Sequence, residues 1–476
     1  MTISKEYFIE FNKILTFLVD KKINERIIFT CLGGKDMFSK QDLKRLIFPL
    51  IIEQVLAMTI GMADTMMVSS CGEAAVSGIS LVDTINILLI NIFSALATGG
   101  AVVASQYLGK KDHDNANKAA KQLVFVTGAL ALIVMIVCLL VKGPLLALIF
   151  NIDGEVMSNA QIYFTVSAIS YPFIALYNAG AALFRSMGNS KISMYNSVIM
   201  NMLNIVGNAI LIFVFNMGVL GAALATLFSR VIGSMTMLWM LRNESLMINV
   251  RQYFHFKFDF GMIKTILKIG VPNGLENGMF QIGKILVAGV VASFGTVAIA
   301  ANAVANNIAG LEIIPGAAMG LAIVTVVGQC VGAEDYKQAE YYSKYLMKIT
   351  FISMLVLNVV ILALCKPILG LYSLSPETTA TAFELLVLHT VFAILVWPIA
   401  FTLPNVFRAA NDAKFTMSIS IFSMWAFRIC ACLVLAYVFH MGVMGVWIAM
   451  ILDWCFRSLC FIWRWKSGKW KHKKLI

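Results

Sequence analysis

A single carboxylate, Asp64, stands inside the apolar stretch Ala57-Met-Thr-Ile-Gly-Met-Ala-Asp-Thr-Met-Met-Val68. An ionised carboxylate in hydrocarbon is costly, so its side chain must face the interior of a helix bundle or a wet cavity. Burial favours the neutral form of a carboxyl group, whereas a bound cation favours the charged form. A group that changes between these two forms is what a carrier coupled to protons or sodium ions requires.

Three asparagines share one face of a later apolar segment. Asn201, Asn204 and Asn208 recur at helical spacing, and Thr226 lies in the next apolar segment. Asparagines in membrane helices can also serve only as links between helices, and this alternative stays open for each of them. Together Asp64, Asn204, Asn208 and Thr226 form an oxygen-rich set that suits a hard cation, including sodium, or a proton relay.

Other polar and aromatic residues inside apolar segments are candidates for lining a substrate cavity. Lys284 has three open roles: its amine can reach the membrane interface, pair with a carboxylate, or act as a tethered cation that competes with substrate. Asp453 and Arg457 are four residues apart and are expected to neutralise each other. The cavity candidates are Asn178, Asn201, Glu276, Lys284, Glu312, Trp397, Trp425 and Arg428.

The elements that carry these residues must span a membrane. Of the 476 residues, 60% are hydrophobic and 13% are charged, whereas a soluble domain carries about 25% charged residues. The net charge of +12 falls in short loops and in the C-terminal tail, which excludes a nucleic-acid surface and indicates basic cytoplasmic loops. The tail lysines are expected near anionic lipid headgroups.

Twelve segments are long and apolar enough to cross a bilayer, which takes about 20 residues. Lys and Arg concentrate in alternate loops, which predicts that both termini are cytoplasmic and that the protein lies in a bacterial plasma (inner) membrane. The segments are near 46–69, 80–106, 121–142, 160–184, 192–215, 218–241, 263–291, 303–330, 345–365, 382–405, 415–439 and 443–463.

The two halves of the chain repeat each other at a nearly constant offset, which pairs Pro49 with Pro272 and Glu53 with Glu276. Six spans in each half give both halves one orientation, related by a pseudo-two-fold axis along the membrane normal. We predict an all-α membrane fold of two six-helix bundles with a cleft between them. Its parts are an N-terminal cytoplasmic or interfacial segment 1–40, an N-lobe 41–241, a linker 242–262, a C-lobe 263–465 and a basic tail 466–476.

Polar residues found in only one half are the better candidates for function. Asp64 has the apolar Val287 as its counterpart, so Asp64 is favoured for coupling. Glu53 and Glu276 are counterparts, each four residues after a proline that removes a helical hydrogen bond, which favours a structural role for both.

The order and spacing of the motifs resemble the multidrug and toxic compound extrusion (MATE) family over about residues 41–470. The resembling stretches include Gly61-Met-Ala-Asp-Thr65, Gln106-Tyr-Leu-Gly-Lys-Lys-Asp112, Arg185-Ser-Met-Gly-Asn189, Leu203-Asn-Ile-Val-Gly-Asn208, Gly221-Ala-Ala-Leu-Ala-Thr226, Gly270-Val-Pro-Asn-Gly-Leu-Glu276, Val327-Gly-Gln-Cys-Val-Gly332 and Gly445-Val-Trp-Ile-Ala-Met-Ile-Leu-Asp453. The resemblance implies twelve helices in two lobes, and export of organic compounds in exchange for sodium ions or protons.

The resemblance also implies a first-lobe cation site at Asp64, Asn204, Asn208 and Thr226, the set that comparison of the two halves selects. The family often has a second aspartate where this chain has Asn208, which favours protons over sodium here. One branch of the family has acids in helices 7 and 10 of the second lobe. Those positions fall at about Phe280 and Trp397, which cannot bind a cation as acids do.

We therefore predict a secondary-active antiporter that exports amphipathic, cationic organic compounds by alternating access, coupled through Asp64 to protons or sodium ions. We expect it to work as a monomer in the lipid bilayer, without a cofactor other than the coupling ion. The alternative is a flippase for a lipid-linked oligosaccharide or lipid, which would favour a strongly basic cavity. The sequence lacks HExxH, GxGD and GxSxG, so we do not expect an enzyme, and it lacks the GxxxxGK[ST] loop needed to hydrolyse ATP.

Overall fold

The computed structural model describes residues 37–150, 154–250, 257–372 and 374–473, and every regular element in these ranges is a helix. Twelve of these helices are long and apolar enough to cross a membrane, which confirms the predicted fold class. The predicted cytoplasmic or interfacial segment 1–40 falls almost entirely outside the described residues. The helices are α1 Lys40–Val68, α2 Glu73–Gly109, α3 His113–Phe150, α4 Gly154–Ser186, α5 Ser190–Val214, α6 Gly218–Met240, α7 Phe260–Ala292, α8 Gly295–Glu312 and Ile314–Gly332, α9 Tyr336–Ala363, α10 Pro376–Leu395, α11 Ala413–Val438 and α12 Gly442–Lys466.

Helix α2 begins earlier than the sequence predicts. The predicted loop 69–79 is replaced by a short turn, because Gly72 adopts a φ of 100° and the helix starts at the next residue. Glu73 lies in the first turn of α2, where its negative charge complements the positive end of the helix dipole. The earlier start places residues near position 83 well inside the helix rather than at its end.

Prolines interrupt two spans of the second half. The predicted span 303–330 is two helices that meet at Ile313, next to Pro315. Proline has no N–H group and its ring crowds the preceding turn, which weakens a helix at that point, although Pro49 and Pro272 lie inside continuous helices. Helix α10 is likewise followed by two short helical pieces that begin at Pro398 and Pro404.

The internal repeat extends to the conformation of single residues. Left-handed backbone conformations occur in pairs, for example at Lys111 with φ of 60° and at its counterpart Glu334 with φ of 58°. Further pairs at the same or the next offset are Gly72 and Gly295, Gly188 and Asn411, Asn216 and His440, and Gly218 and Gly442. The two lobes therefore share their turns as well as their helices, which confirms the predicted repeat.

A buried ion pair stands at the same place in each lobe. Glu53 on α1 accepts hydrogen bonds from Arg185 at 3.0 Å and from Ser193 at 2.8 Å, which ties α1 to α4 and α5. Its counterpart Glu276 pairs with Arg408 at 2.8 Å. Both glutamates are less than a tenth exposed, so each pair holds three helices of its own lobe together.

The N-lobe and the C-lobe meet at one end of the helix bundles, which we call the basic end. This end carries the loops 110–112, 187–189, 333–335 and 410–412, together with the linker and the tail. Gln106 on α2 donates its side-chain amide to the carbonyl oxygen of Ala409 at 2.7 Å. Its counterpart Gln329 on α8 donates to the carbonyl oxygen of Ser186, also at 2.7 Å. Two symmetric hydrogen bonds therefore connect the N-lobe to the C-lobe.

Two glycines allow the helices to approach at this end. A methyl group on Gly109 would lie 2.0 Å from the carbonyl oxygen of Gln329, and one on Gly332 would lie 2.0 Å from that of Gln106. No side chain fits at either position without separating α2 from α8. The basic end is thus closed by direct backbone contact between the lobes.

The described ends of the chain both pack against the C-lobe. The backbone of Phe38 exchanges two hydrogen bonds of 2.9 Å with the hydroxyl group of Tyr342. In the tail, Trp470 is fully buried and stacks on Trp465 at 5.1 Å between ring centroids, and Lys471 pairs with a glutamate of α9. The described part of the tail is therefore folded onto the protein.

Candidate coupling site and substrate cavity

The structure brings together the four residues of the predicted coupling site. The Nδ2 amide of Asn208 donates to Asp64 Oδ1 at 2.6 Å and approaches Asn204 Oδ1 at 3.4 Å. Asn204 in turn donates its Nδ2 to the hydroxyl oxygen of Thr226 at 3.0 Å. A continuous chain of hydrogen bonds therefore joins α1 to α5 and α6.

The amide of Asn208 is the central member of this chain. Asn204 and Asn208 are both fully buried, and Asp64 is half-buried. Within the described residues, the carbonyl oxygen of the Asn208 side chain has no hydrogen-bond partner. A sodium ion needs oxygen ligands, so the Asn208 amide would have to turn over to contribute one. The amide as placed instead stabilises an ionised Asp64, whose negative charge it contacts through N–H.

A second carboxylate, that of Asp83 on α2, belongs to the same group of charges as Asp64, and the sequence analysis did not predict it. Its charge acts on Asp64, as does that of Arg230 on α6. The hydroxyl group of Tyr163 interacts with Asp83 from α4. The available signal was that Asp83 has Asn306 as its counterpart in the second half, so the carboxylate belongs to one half only.

A set of polar side chains on α2 and α4 positions these charges. Asn86 donates to Asp83 at 3.0 Å and accepts from the hydroxyl of Tyr171 at 2.8 Å. Arg230 donates to the hydroxyl of Ser170 at 2.6 Å. Two carboxylates and one guanidinium give this part of the N-lobe a net charge of −1 when both acids are ionised, so one proton or one monovalent cation makes it neutral.

The C-lobe holds a different buried acid. Glu312 is fully buried at the end of the first part of α8, where His389 Nδ1 lies 2.6 Å from one carboxylate oxygen and Thr390 donates to the other at 2.6 Å. The imidazole of His389 packs edge-on against Trp454 at 5.2 Å between centroids. This pair can share a proton, but it is enclosed within the lobe.

Only two of the predicted cavity residues, Lys284 and Arg428, line the cavity of about 160 Å³ in the C-lobe. Glu276 is held in its ion pair, and Glu312 pairs with His389. The remaining four candidates do not line this cavity either. Asn201 donates to the carbonyl oxygen of Ser197, and the buried side-chain nitrogen of Asn178 has no partner in the described residues. Trp397 stacks on Phe401, and Trp425 is 42% exposed.

Phe280 and Trp397, about where the resemblance predicts that the second-lobe acids of one branch would fall, are both aromatic. Phe280 lies under the guanidinium of Arg428 at 5.1 Å and that of Arg457 at 5.7 Å. Arg457 also donates to Asp453 at 2.8 Å, so these two residues neutralise each other as predicted. This part of the C-lobe is therefore already filled by the protein's own cations.

These features define a class of protein: a multi-pass membrane transporter of two repeat-related six-helix lobes. The fold is similar to that of a MATE family multidrug resistance transporter of the MOP superfamily in an outward-facing conformation, with a TM-score of 0.85 and 23% identity over 93% of this chain and 98% of that one. It is also similar to a crystal structure of MATE in the bent conformation, with a TM-score of 0.83 and 22% identity over 91% and 96% of the two chains.

The MatE family model matches residues 49–210 and again residues 272–434, so its two matches begin at the counterparts Pro49 and Pro272. The chain belongs to this family, the MATE transporters. It is 29% identical over 445 residues to an uncharacterized transporter, YisQ, of Bacillus subtilis, covering 90% of this chain and 94% of the relative. It is 25% identical over 456 residues to a probable multidrug resistance protein, NorM, of Thermotoga maritima, covering 92% and 94%.

Proposed function

We propose that this protein exports amphipathic organic compounds, cations among them, across a bacterial plasma membrane in exchange for protons. It acts as a monomer, since one chain carries both lobes, and uses no cofactor besides the coupling ion. The hydrogen-bonded chain from Asp64 through Asn208 and Asn204 to Thr226 carries the proposal. Relatives named as multidrug resistance and multidrug export proteins support the substrate class.

Charge neutralisation in the N-lobe is the coupling step. When Asp64 and Asp83 are ionised, the net charge of −1 attracts the positive group of a substrate. When Asp64 takes up a proton, that attraction is lost and the low-polarity surroundings favour the neutral carboxyl group. Proton and cationic substrate therefore exclude one another, which is the requirement for antiport.

The amide of Asn208 gives the two protonation states different structures. An ionised Asp64 accepts from Nδ2 of Asn208, as in the present structure. A protonated Asp64 can donate its O–H to the Asn208 oxygen, which is now without a partner among the described residues. Turning this amide changes the contact of α1 with α5, so proton binding biases the packing of the N-lobe.

Alternating access follows from the arrangement of the lobes. Gln106 and Gln329 hold the basic end closed, and basic loops belong on the cytoplasmic side. The present state is then closed to the cytoplasm, with proton uptake at Asp64 from the outside. Separation of α2 from α8 at Gly109 and Gly332 would open the cytoplasmic side.

Two features favour the proton over sodium. The donor set around Asp64 holds one carboxylate and two amides, one of which presents its N–H group to the carboxylate. The second feature is the carbonyl oxygen of Asn208, which has no hydrogen-bond partner among the described residues and can accept the O–H of a protonated Asp64.

The test uses proteoliposomes with a proton gradient and a sodium gradient imposed separately, and ethidium as the transported cation. We expect transport with the proton gradient alone, and its loss in Asp64→Asn. Asp114→Asn, the same chemical change at an exposed aspartate in the first turn of α3, is the matched control and should transport like the wild type. Full transport by Asp64→Asn under a proton gradient would overturn the proposal.

The flippase alternative has one observation in its favour, the pair of cations Lys284 and Arg428 at a single cavity. The phosphate of a lipid headgroup is an anion that could bind this pair. Competition between anionic lipid and a soluble carboxylate for the cavity tests whether lipid binds there.

A further inference from the structure

The C-lobe cavity is lined by positive charge without any acid. Its lining includes Lys284 of α7, Asn302 and Asn306 of α8, Arg428 of α11 and Trp447 of α12, together with aliphatic side chains. No carboxylate is among these lining residues. A cationic ligand would meet two like charges here, and the low dielectric of the membrane makes such repulsion expensive.

Lys284 has no ion-pair partner among the residues that the structure describes. Its side chain is exposed at the cavity, and the charge that acts on it is that of Arg428. It lies about 12 Å before the end of α7 at Ala292, the end away from the basic loops. The lysine therefore neither pairs with a residue of the described ranges nor lies at the basic end.

Arg428 is only partly neutralised by the protein. Its Nη1 lies 3.7 Å from Asp453 Oδ2, which is longer than a hydrogen bond. Asp453 is engaged by Arg457 at 2.8 Å through its other oxygen. Arg428 is 8% exposed, and its Nε is buried without a hydrogen-bond partner in the described part of the chain.

The charges in this region do not balance. Lys284, Arg428 and Arg457 share the acid Asp453, and Glu276, whose charge also reaches Arg457, is paired with Arg408. An excess of two positive charges remains. Buried cations in membrane proteins are stable when an anion or a hydrogen-bond acceptor pairs with them. An anionic group that entered the cavity would reduce this excess.

The other lining residues indicate the chemistry of the non-acidic part of the ligand. The indole N–H of Trp447 donates a hydrogen bond of 3.0 Å to Asn302 Oδ1, which fixes the orientation of the ring. Val287, Val291 and Met450 add apolar surface. A cavity of about 160 Å³ is close to the size that accommodates a benzene ring. It therefore takes one end of an amphipathic molecule rather than a whole drug-sized compound.

We propose that the C-lobe cavity binds the acidic group of an amphipathic organic anion, a carboxylate or a phosphate, between Lys284 and Arg428, with the adjoining apolar part against Trp447. Two sources share this chemistry: a soluble aromatic carboxylate, and the headgroup of an anionic lipid. The inference rests on the proposed function for its role in transport, where it extends the substrates to anions and zwitterions. Its test is equilibrium binding, which needs neither a gradient nor Asp64.

The experiment measures binding to the purified full chain in nanodiscs of zwitterionic lipid by titration calorimetry. The probes are 1-naphthaleneacetate and its amine congener 1-naphthylmethylamine, which share a ring system and differ in charge. We expect the carboxylate to bind at least tenfold more tightly than the amine. Lys284→Met and Arg428→Gln should each reduce carboxylate affinity at least tenfold, and neither should weaken binding of the amine.

A matched control is Lys142→Met, which removes a lysine from a membrane helix of the other lobe, where it donates to Thr165. This variant should bind the carboxylate like the wild type. Equal affinity for carboxylate and amine, or a carboxylate preference that survives both Lys284→Met and Arg428→Gln, would overturn the proposal. Loss of binding in Lys142→Met as well would also overturn it, because the loss would then not be specific to the cavity.

Repetition in nanodiscs that contain phosphatidylglycerol distinguishes the two sources. Weaker carboxylate binding there than in zwitterionic lipid, with the difference abolished in Lys284→Met, identifies the lipid headgroup as an occupant. Equal binding in both nanodiscs identifies the soluble anion as the ligand. Ethidium transport by the wild type under the proton gradient is measured without any anionic probe, so failure of this inference and failure of the proposed function give different results.

Discussion

Asn208 and Asp64 are far apart in the chain, and the side-chain amide of the first donates a hydrogen bond of 2.6 Å to the carboxylate of the second. This contact joins α5 to the second half of α1, where Asp64 lies. It makes the charge of Asp64 dependent on the packing of two helices.

Asn208→Leu should reduce proton-driven transport at least tenfold. The substitution keeps the size of the side chain but removes the donor to Asp64, and losing a hydrogen bond to a charged group costs about 1.5–3 kcal/mol. Initial rates in proteoliposomes measure the effect. Asn201→Leu is the control, since among the described residues the Asn201 side chain bonds only to the carbonyl oxygen of Ser197 on its own helix. Equal losses in the two variants would show that the effect is general to asparagines of α5.

Asp83 and Arg230 should compensate for one another. Asp83→Asn leaves Asp64 with the charge of Arg230 alone, so the N-lobe cluster no longer gains neutrality from a proton, and transport falls. The double variant Asp83→Asn with Arg230→Gln restores a net charge of −1. It should recover transport about tenfold over Asp83→Asn, a coupling of about 1.4 kcal/mol. Strictly additive losses in this double-mutant cycle would show that the two charges act independently.

Gly332→Ala should hold the basic end open. The new methyl group would lie 2.0 Å from the carbonyl oxygen of Gln106, so α2 and α8 cannot make their present contact. Distances between spin labels on the loops 110–112 and 333–335, in a cysteine-depleted background, should lengthen, and transport should stop. Gly289→Ala, whose added methyl group would meet no atom within 4 Å beyond its own stretch of helix, should change neither quantity. Unchanged label distances in Gly332→Ala would contradict the closed contact.

Glu276→Gln should lower stability rather than the transport rate of each folded molecule. It leaves Arg408 buried without its anion, which costs about 3 kcal/mol or more. Glu340→Gln provides the comparison, because Glu340 pairs with Lys344 at a partly exposed site, where such pairs contribute about 1 kcal/mol or less. Thermal unfolding of the purified protein and transport per folded molecule separate the two roles. A normal unfolding temperature with lost transport would place Glu276 in the substrate path instead.

The N-lobe coupling set was predictable because its members are polar residues at helical spacing in segments that are otherwise apolar. Comparison of the two halves added a second criterion, since Asp64 is answered by Val287. Asp83 was not predicted as a member of the site, and the reason is physical. The predicted second span began at residue 80, which put Asp83 at a helix end near water, whereas α2 begins at Glu73 and carries Asp83 into the bundle.

The C-lobe cavity could not be derived from the sequence. Lys284 and Arg428 were recognisable as cations inside apolar helices, but their approach depends on how α7 packs against α11. The break of α8 beside Pro315 was likewise hidden within a continuous apolar run. Long-range packing, rather than local propensity, decides both features.

The coupling role of Asp64 is tested most directly by proton release. Purified protein in weakly buffered detergent solution, with a pH indicator, is mixed with ethidium. If substrate and proton exclude one another at Asp64, the wild type releases protons upon binding. Asp64→Asn then releases none while Asp114→Asn behaves like the wild type. Proton release from Asp64→Asn equal to that of the wild type would contradict coupling through this carboxylate.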